Sequence, residues 1–170
     1  KVLAYPVTGT DAKTLTADNV QKETVIVLEG KEAITARSIV LYLADKGECD
    51  MELAVCKNGE WVTVDKAYLD RSNTSLNVGF TPLAPFIFSL PEIEGSEFRV
   101  TLERPGVIGK VEISEKPQVE FYAEKTLAKM FPYPLPMWND YLWRNQPEYA
   151  SGNMLQASQV QDITAHMSTD

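Results

Sequence analysis

The sequence predicts an all-β fold, an antiparallel sandwich or barrel, on three observations. Apolar and polar residues alternate over short runs through the first two-thirds of the chain, turn residues separate the runs, and no long amphipathic helix interrupts them. A parallel βαβ arrangement needs such helices and is not expected. The 170 residues suit one domain with at most a tail, and the 44% hydrophobic content suffices for a core.

The elements follow in order. Thr24–Leu28 is a compact apolar run, and Ala33–Ala44 is a longer one whose Ile39, Leu41 and Leu43 share a face. Met51, Leu53 and Val55 alternate with Glu52, Ala54 and Cys56, after which Asn58-Gly59 supplies the two positive-φ residues of a type I′ hairpin turn. With Lys57 opposite Glu60, Val55 faces Val62 and Leu53 faces Val64 on one side, while Cys56 and Trp61 share the other. Leu76, Val78 and Phe80 alternate next, then Phe86, Phe88 and Leu90. Phe98, Val100 and Leu102 alternate with Glu97, Arg99, Thr101 and Glu103, and Val111 and Ile113 continue with Lys110 and Glu112 outward. About eight short strands are expected.

Beyond Pro117 the character changes. Val119–Met130 has helical composition, and Phe131–Pro136, with three prolines, must be an extended connector. Asn139–Tyr149 is read as a short helix carrying Tyr141, Trp143 and Tyr149. The expected organisation is a lead-in over 1–20, a β-sandwich over 21–117, a helical and Pro-rich connector over 118–155, and the start of a further module over 156–170. Lys1, with no initiator Met before it, reads as the start of a piece cut from a longer chain.

Charge removes several functions. Sixteen Lys plus Arg against 24 Asp plus Glu leave a net charge of −8, which repels phosphate backbones, so no nucleic-acid partner is expected. The longest apolar run, Ile39–Ala44, falls far short of the ~18 residues of a membrane span, so none is expected and the chain reads as soluble. A single His leaves triads almost no general base and excludes most His-based metal sites. Cys49 and Cys56, on one strand, would lie ~20 Å apart and cannot bond to each other.

Glycosidases need two facing carboxylates. Glu48, Asp50, Glu52, Glu92, Glu94, Glu120 and Glu124 are plentiful but read as solvated surface charge, so no catalytic residue is assigned. Sugar rings stack on aromatic faces beside a few polar groups, which makes Trp61 and Tyr68, with Arg71 and Asn73, the candidate carbohydrate-binding residues. Tyr68, Asp70, Arg71 and Asn73 are placed in a polar loop; the plainer reading of Trp61 is packing. The Trp138, Tyr141, Trp143 and Tyr149 patch is read as a docking surface. His166, in a polar tail, is not read as catalytic, and Gly106 and Gly109 form no phosphate cradle. The acidic segments Asp18-Asn19 and Asp65–Asn73 offer oxygen ligands for Ca²⁺, the one cofactor in view, without matching a defined calcium loop.

Several segments carry a family resemblance. Ala33-Ile34-Thr35-Ala36-Arg37-Ser38-Ile39-Val40-Leu41 resembles the "VTARSVTL" strand of galactose-binding, discoidin-like sandwiches. The hairpin from Leu53 to Val64 resembles their "LQASDDGKTFRTV", and Phe98–Leu102 with Gly106–Ile113 resembles their closing strand pair. Val119-Glu120-Phe121-Tyr122-Ala123-Glu124-Lys125 matches an exit pattern, and Val160–Asp170 is similar to the "VVDLTDKMDADG" segment following such a sandwich in glycoside hydrolase family 106, the α-L-rhamnosidases.

The resemblance implies a jelly-roll, galactose-binding-like β-sandwich with a Pro-rich, partly helical C-terminal extension. It implies a non-catalytic module of a secreted hydrolase, periplasmic or extracellular, that packs on or shapes the catalytic cleft for plant or microbial polysaccharide breakdown. Its partner would be the rest of the parent hydrolase chain. The alternative is an autonomous carbohydrate-binding module. Family members invert at α-L-rhamnose with a carboxylate pair and use calcium in the catalytic barrel; those carboxylates match no position here. The resemblance also implies a packing role for Trp61. Cys56 and Lys57 depart from the usual Ser-Asp entry to the hairpin, and Phe131–Asn153 has no counterpart.

Overall fold

Period-two alternation becomes a closed core here because two strands are long enough to belong to both layers of the fold. The computed structural model describes residues 3–4, 12–72, 83–125, 147 and 157–166. Its strands are β1 (Leu3–Ala4), β2 (Thr14–Asp18), β3 (Val25–Leu43), β4 (Glu48–Lys57), β5 (Glu60–Asp70), β6 (Phe86–Leu102), β7 (Ile108–Ser114) and β8 (Gln161–Asp162), and the described residues include a short α-helix, α1 (Tyr122–Lys125). Six strands form an antiparallel sheet in the order β2-β7-β3-β6-β4-β5, and β1 pairs separately with β8.

The first part of β3 (Val25–Glu29) pairs with the end of β6 (Glu97–Thr101), which pairs onward with β4. The second part of β3 (Ser38–Leu41) lies between the start of β6 and β7. Each long strand therefore leaves one layer and enters the other. Register shifts between Glu29 and Ile34 and between Ala36 and Ser38 allow the bend. The second shift also exchanges parity, since Ile26, Leu28, Ile34 and Ala36 are buried before it and Ile39 and Leu41 after it. Both layers bury one continuous cluster containing Phe86, Phe88, Phe98, Leu53, Val100, Val111 and Ile113. The fold is an all-β antiparallel sandwich.

Three expectations change. The short runs Thr24–Leu28 and Ala33–Ala44 are one 19-residue strand, and those beginning at Phe86 and ending at Leu102 are one of 17 residues. Bulges keep the ladder unbroken where the hydrophobic pattern is interrupted, so the sheet has six strands rather than eight short ones. Thr14–Asp18, within the expected lead-in, forms an edge strand against β7. Leu53 faces Asp65 rather than Val64, because the hairpin register shifts between Leu53 and Ala54. The turn itself holds: Lys57 faces Glu60, Val55 faces Val62, Cys56 faces Trp61, and Asn58 and Gly59 take φ of 54° and 82°.

The exit segment closes a sheet edge. The Phe121 N–H donates to the Ile87 carbonyl at 2.8 Å, Ser89 Oγ donates to the Gln118 carbonyl, and the Ser89 N–H donates to Glu120 Oε2. Backbone groups of β6 that would face solvent as a bare edge are thereby satisfied. Phe121 takes φ 48°, uncommon for a bulky residue, and its ring meets Phe88 edge-on at 5.0 Å. Of the expected helix Val119–Met130, Tyr122–Lys125 is helical and residues 126–130 lie outside the described residues. Also outside them are the Leu76–Phe80 run, the Phe131–Pro136 connector, the Trp138, Tyr141, Trp143 and Tyr149 patch and Asn73. His166 ends a short 3₁₀ turn, Thr164–His166.

Candidate functional site

Loops gather where β3 gives way to β4, β5 ends and β6 gives way to β7. Between them lies an open hollow of about 470 Å³ lined by Asp45, Lys46, Gly47, Glu48, Ser72, Arg104, Pro105, Gly106 and Val107. Backbone bonds hold the rim: Gly47 and Arg71 exchange N–H···O=C bonds of 3.3 and 2.8 Å, and Ala44 N–H donates to the Val107 carbonyl at 2.8 Å. The polar groups are set by neighbours. Arg104 Nε donates to the Glu48 carbonyl at 2.6 Å, and its guanidinium stands 3.6 Å from the Glu48 carboxylate. The Tyr68 hydroxyl donates to Glu48 Oε2 at 2.6 Å. That bond holds the phenol proton and pushes the Tyr68 pKa up to about 12. The ring is 55% exposed, so an aromatic face stands beside a fixed carboxylate and a guanidinium.

Of the residues read from sequence as a sugar site, the structure separates Trp61, Tyr68 and Arg71, and Asn73 lies outside the described residues. Tyr68 does not line the hollow itself but adjoins it through its hydrogen bond to Glu48; it lies on β5 rather than in a loop, with Asp70 ending the same strand. Arg71 is buried and structural: its Nε donates to the Ala84 carbonyl and an Nη to the Asp70 carbonyl, both at 3.1 Å, while its guanidinium covers Phe86 at 3.9 Å. Trp61 is at the other end of β5, on the order of 20 Å away at ~3.3 Å per residue. It faces outward beside Cys56, with the Arg99 guanidinium 4.5 Å from its ring. Trp61 thus packs against Arg99 on the outer face.

Glu48 and Arg104 were not foreseen as a site. Their pairing joins chain positions 56 residues apart, and no local motif announces it. Glu48, Asp50 and Glu52 share the outward face of β4, where Glu52 pairs with Lys66 at 2.8 Å. Cys49 and Cys56 are free thiols; burial pushes the Cys49 pKa up, which makes it inert. Glu120, expected as surface charge, is fully buried in the edge seal.

Of the donors proposed for Ca²⁺, Asp18 and Asp65 each have a partner of their own. Asp18 ends β2 with Lys110 at 3.8 Å, and Asp65 lies within β5 and accepts the N–H of Lys66. Among the described residues no three His, Cys, Asp or Glu side chains form a metal-holding group. Among them, too, no helix is long and apolar enough to cross a membrane.

In fold the chain is similar to solved carbohydrate-binding modules and to part of a rhamnosidase. The rhamnosidase from Novosphingobium sp. PP1Y aligns at 18% identity and TM-score 0.45, over 58% of this chain and 8% of that one. A family 32 carbohydrate-binding module from C. perfringens NanJ, solved with galactose, aligns at 12% identity and TM-score 0.42, over 60% of this chain and 76% of that one. A pectin-binding module aligns at 8% identity and TM-score 0.40, over 63% and 74%. No family model and no curated protein matches the chain.

Proposed function

We propose that this chain is a non-catalytic carbohydrate-binding module of a larger carbohydrate-active enzyme, with the sugar seated in the loop-end hollow. The observation that carries this reading is the exposed Tyr68 ring, anchored through its hydroxyl to Glu48, which in turn is held by Arg104. A pyranose offers C–H faces and hydroxyls. The ring would receive the faces, while Glu48, Arg104 and Ser72 would receive the hydroxyls. Export to the periplasm or beyond belongs to the same proposal.

Titration of the full chain with rhamnose, galactose and their oligosaccharides, followed by backbone amide NMR, tests this. Saturable shifts at Glu48, Tyr68, Ser72 and Arg104, lost in Tyr68→Ala, are expected. Absence of shifts at those residues with every sugar would refute it.

A second reading, a module that packs against its parent enzyme, is favoured by one different observation. Val25 and Val27 project from the outer face of β3 with 51% and 42% exposure, an apolar pair on an otherwise polar face. Protection of these two residues in the full-length enzyme, with no sugar response, would select that reading.

A further inference from the structure

We propose that Asn58 is a site of spontaneous deamidation to isoaspartate, gated by fraying of the β4–β5 hairpin tip. The inference is independent of what the module binds. Lys57, Asn58, Gly59 and Glu60 are all exposed at the turn. Lys57 and Glu60 form the last pair of the ladder, so the Gly59 N–H lies beyond it. Gly59 carries no side chain to hinder approach to that nitrogen, and even a Cβ built there would meet nothing within 4 Å.

The chemistry balances with water as the only co-reactant. The Gly59 amide nitrogen loses its proton to hydroxide and attacks Asn58 Cγ; the new C–N bond closes a succinimide and ammonia leaves. Water then opens the ring at either carbonyl, giving an ordinary aspartate or, with the backbone rerouted through the side chain, isoaspartate. Asn19, the other described Asn, takes a similar φ of 59° but precedes buried, β-branched Val20. That neighbour crowds the equivalent nitrogen.

The native turn restrains the reaction, because ring closure requires Asn58 to leave the left-handed conformation that the type I′ turn imposes. What holds the tip is limited. Val62 is 48% exposed although it faces the core side, and Thr63 is exposed. The contacts that do anchor it are the Arg99–Trp61 stack and the bond from Lys57 Nζ to the Glu94 carbonyl. Weakening either should raise the open fraction and the rate together.

The consequence is structural. Isoaspartate adds a methylene to the main chain of a two-residue loop, so the Lys57–Glu60 pair no longer closes, and it places a new carboxylate beside Glu60.

The test is ageing of the full chain at mildly alkaline pH and body temperature. Peptide mapping follows the mass change from –NH₂ to –OH at Asn58, and methyl incorporation by a protein isoaspartyl methyltransferase identifies the isomer. Isoaspartate accumulating at Asn58, and several-fold faster in both Trp61→Ala and Lys57→Ala, is the expected result. Asn58→Gln should lose the signal at this peptide. No product at Asn58 in the folded chain, while the urea-unfolded chain deamidates there, would overturn the proposal. Equal rates in the parent and both tip variants would overturn the gating.

Discussion

Gly95→Ala probes the closest approach between the bend of β6 and the hairpin. Gly95 is buried, pairs with Ile34, and has no room for a methyl group: a Cβ there would lie 2.5 Å from Val55 Cγ2 and 3.2 Å from Phe98 Cζ. One neighbour is a β-branched side chain and the other a fully buried ring, so neither yields freely. Overpacking of this kind costs about 1–3 kcal/mol. Val55→Ala alone removes two methyl groups at ~0.8 kcal/mol each and leaves a cavity, for about 2–3 kcal/mol in all. In the double variant the new methyl occupies the space that Val55 vacates. The two losses should therefore fall short of their sum by about 1 kcal/mol or more. Urea unfolding measures this, read as a shift in midpoint at unchanged slope. Additivity within ~0.5 kcal/mol, or a neutral Gly95→Ala, would refute the packing argument.

Three further outcomes are expected. Glu48→Ala should bring the Tyr68 pKa down from about 12 toward its ordinary 10.0, as read by phenolate absorbance with Tyr68→Phe as the assignment control. Because the folded value is raised, the Tyr68 contribution to stability is complete below pH 10.0 and is lost as pH rises through about 12, and Glu48→Ala should abolish that alkaline slope. A cycle of Trp61→Ala and Arg99→Met should give a coupling of about 1 kcal/mol in denaturant unfolding, the scale of a half-buried cation–π contact, with no change in sugar response at the hollow. Phe121→Ala should cost about 3–5 kcal/mol in a thermal or urea melt and increase light scattering on heating, because the strap over the β6 edge loses its anchor on Phe88.

Legibility in the sequence followed the range of the interaction. The hairpin tip was readable to the residue because Asn58-Gly59 and its flanking alternation are local, and the Lys57–Glu60, Cys56–Trp61 and Val55–Val62 pairings stand as expected. The bulge that sets Leu53 against Asp65 was not, since nothing in Trp61–Lys66 marks which residue is passed over. Tyr68 was singled out by residue type, but its contact with Glu48, and that of Glu48 with Arg104, join residues distant in the chain that no local pattern marks. Arg71 looked like a ligand residue because a charged side chain is seldom buried; only the closing of the 83–86 segment over it supplies the Ala84 carbonyl and the Phe86 ring.

By itself the sequence determined the all-β class, the inward residues of Met51–Val55, Phe98–Leu102 and Val111–Ile113, and the lack of pairing between Cys49 and Cys56. Those properties depend on a side-chain period of two and on neighbours within one strand. Tertiary structure alone decided that β3 and β6 pass through both layers, that β2 joins β7, that Glu120 seals an edge and that Glu48, Tyr68 and Arg104 meet. Each joins residues brought together by chain closure, whose cost is shared across the whole core rather than encoded at either end of the contact.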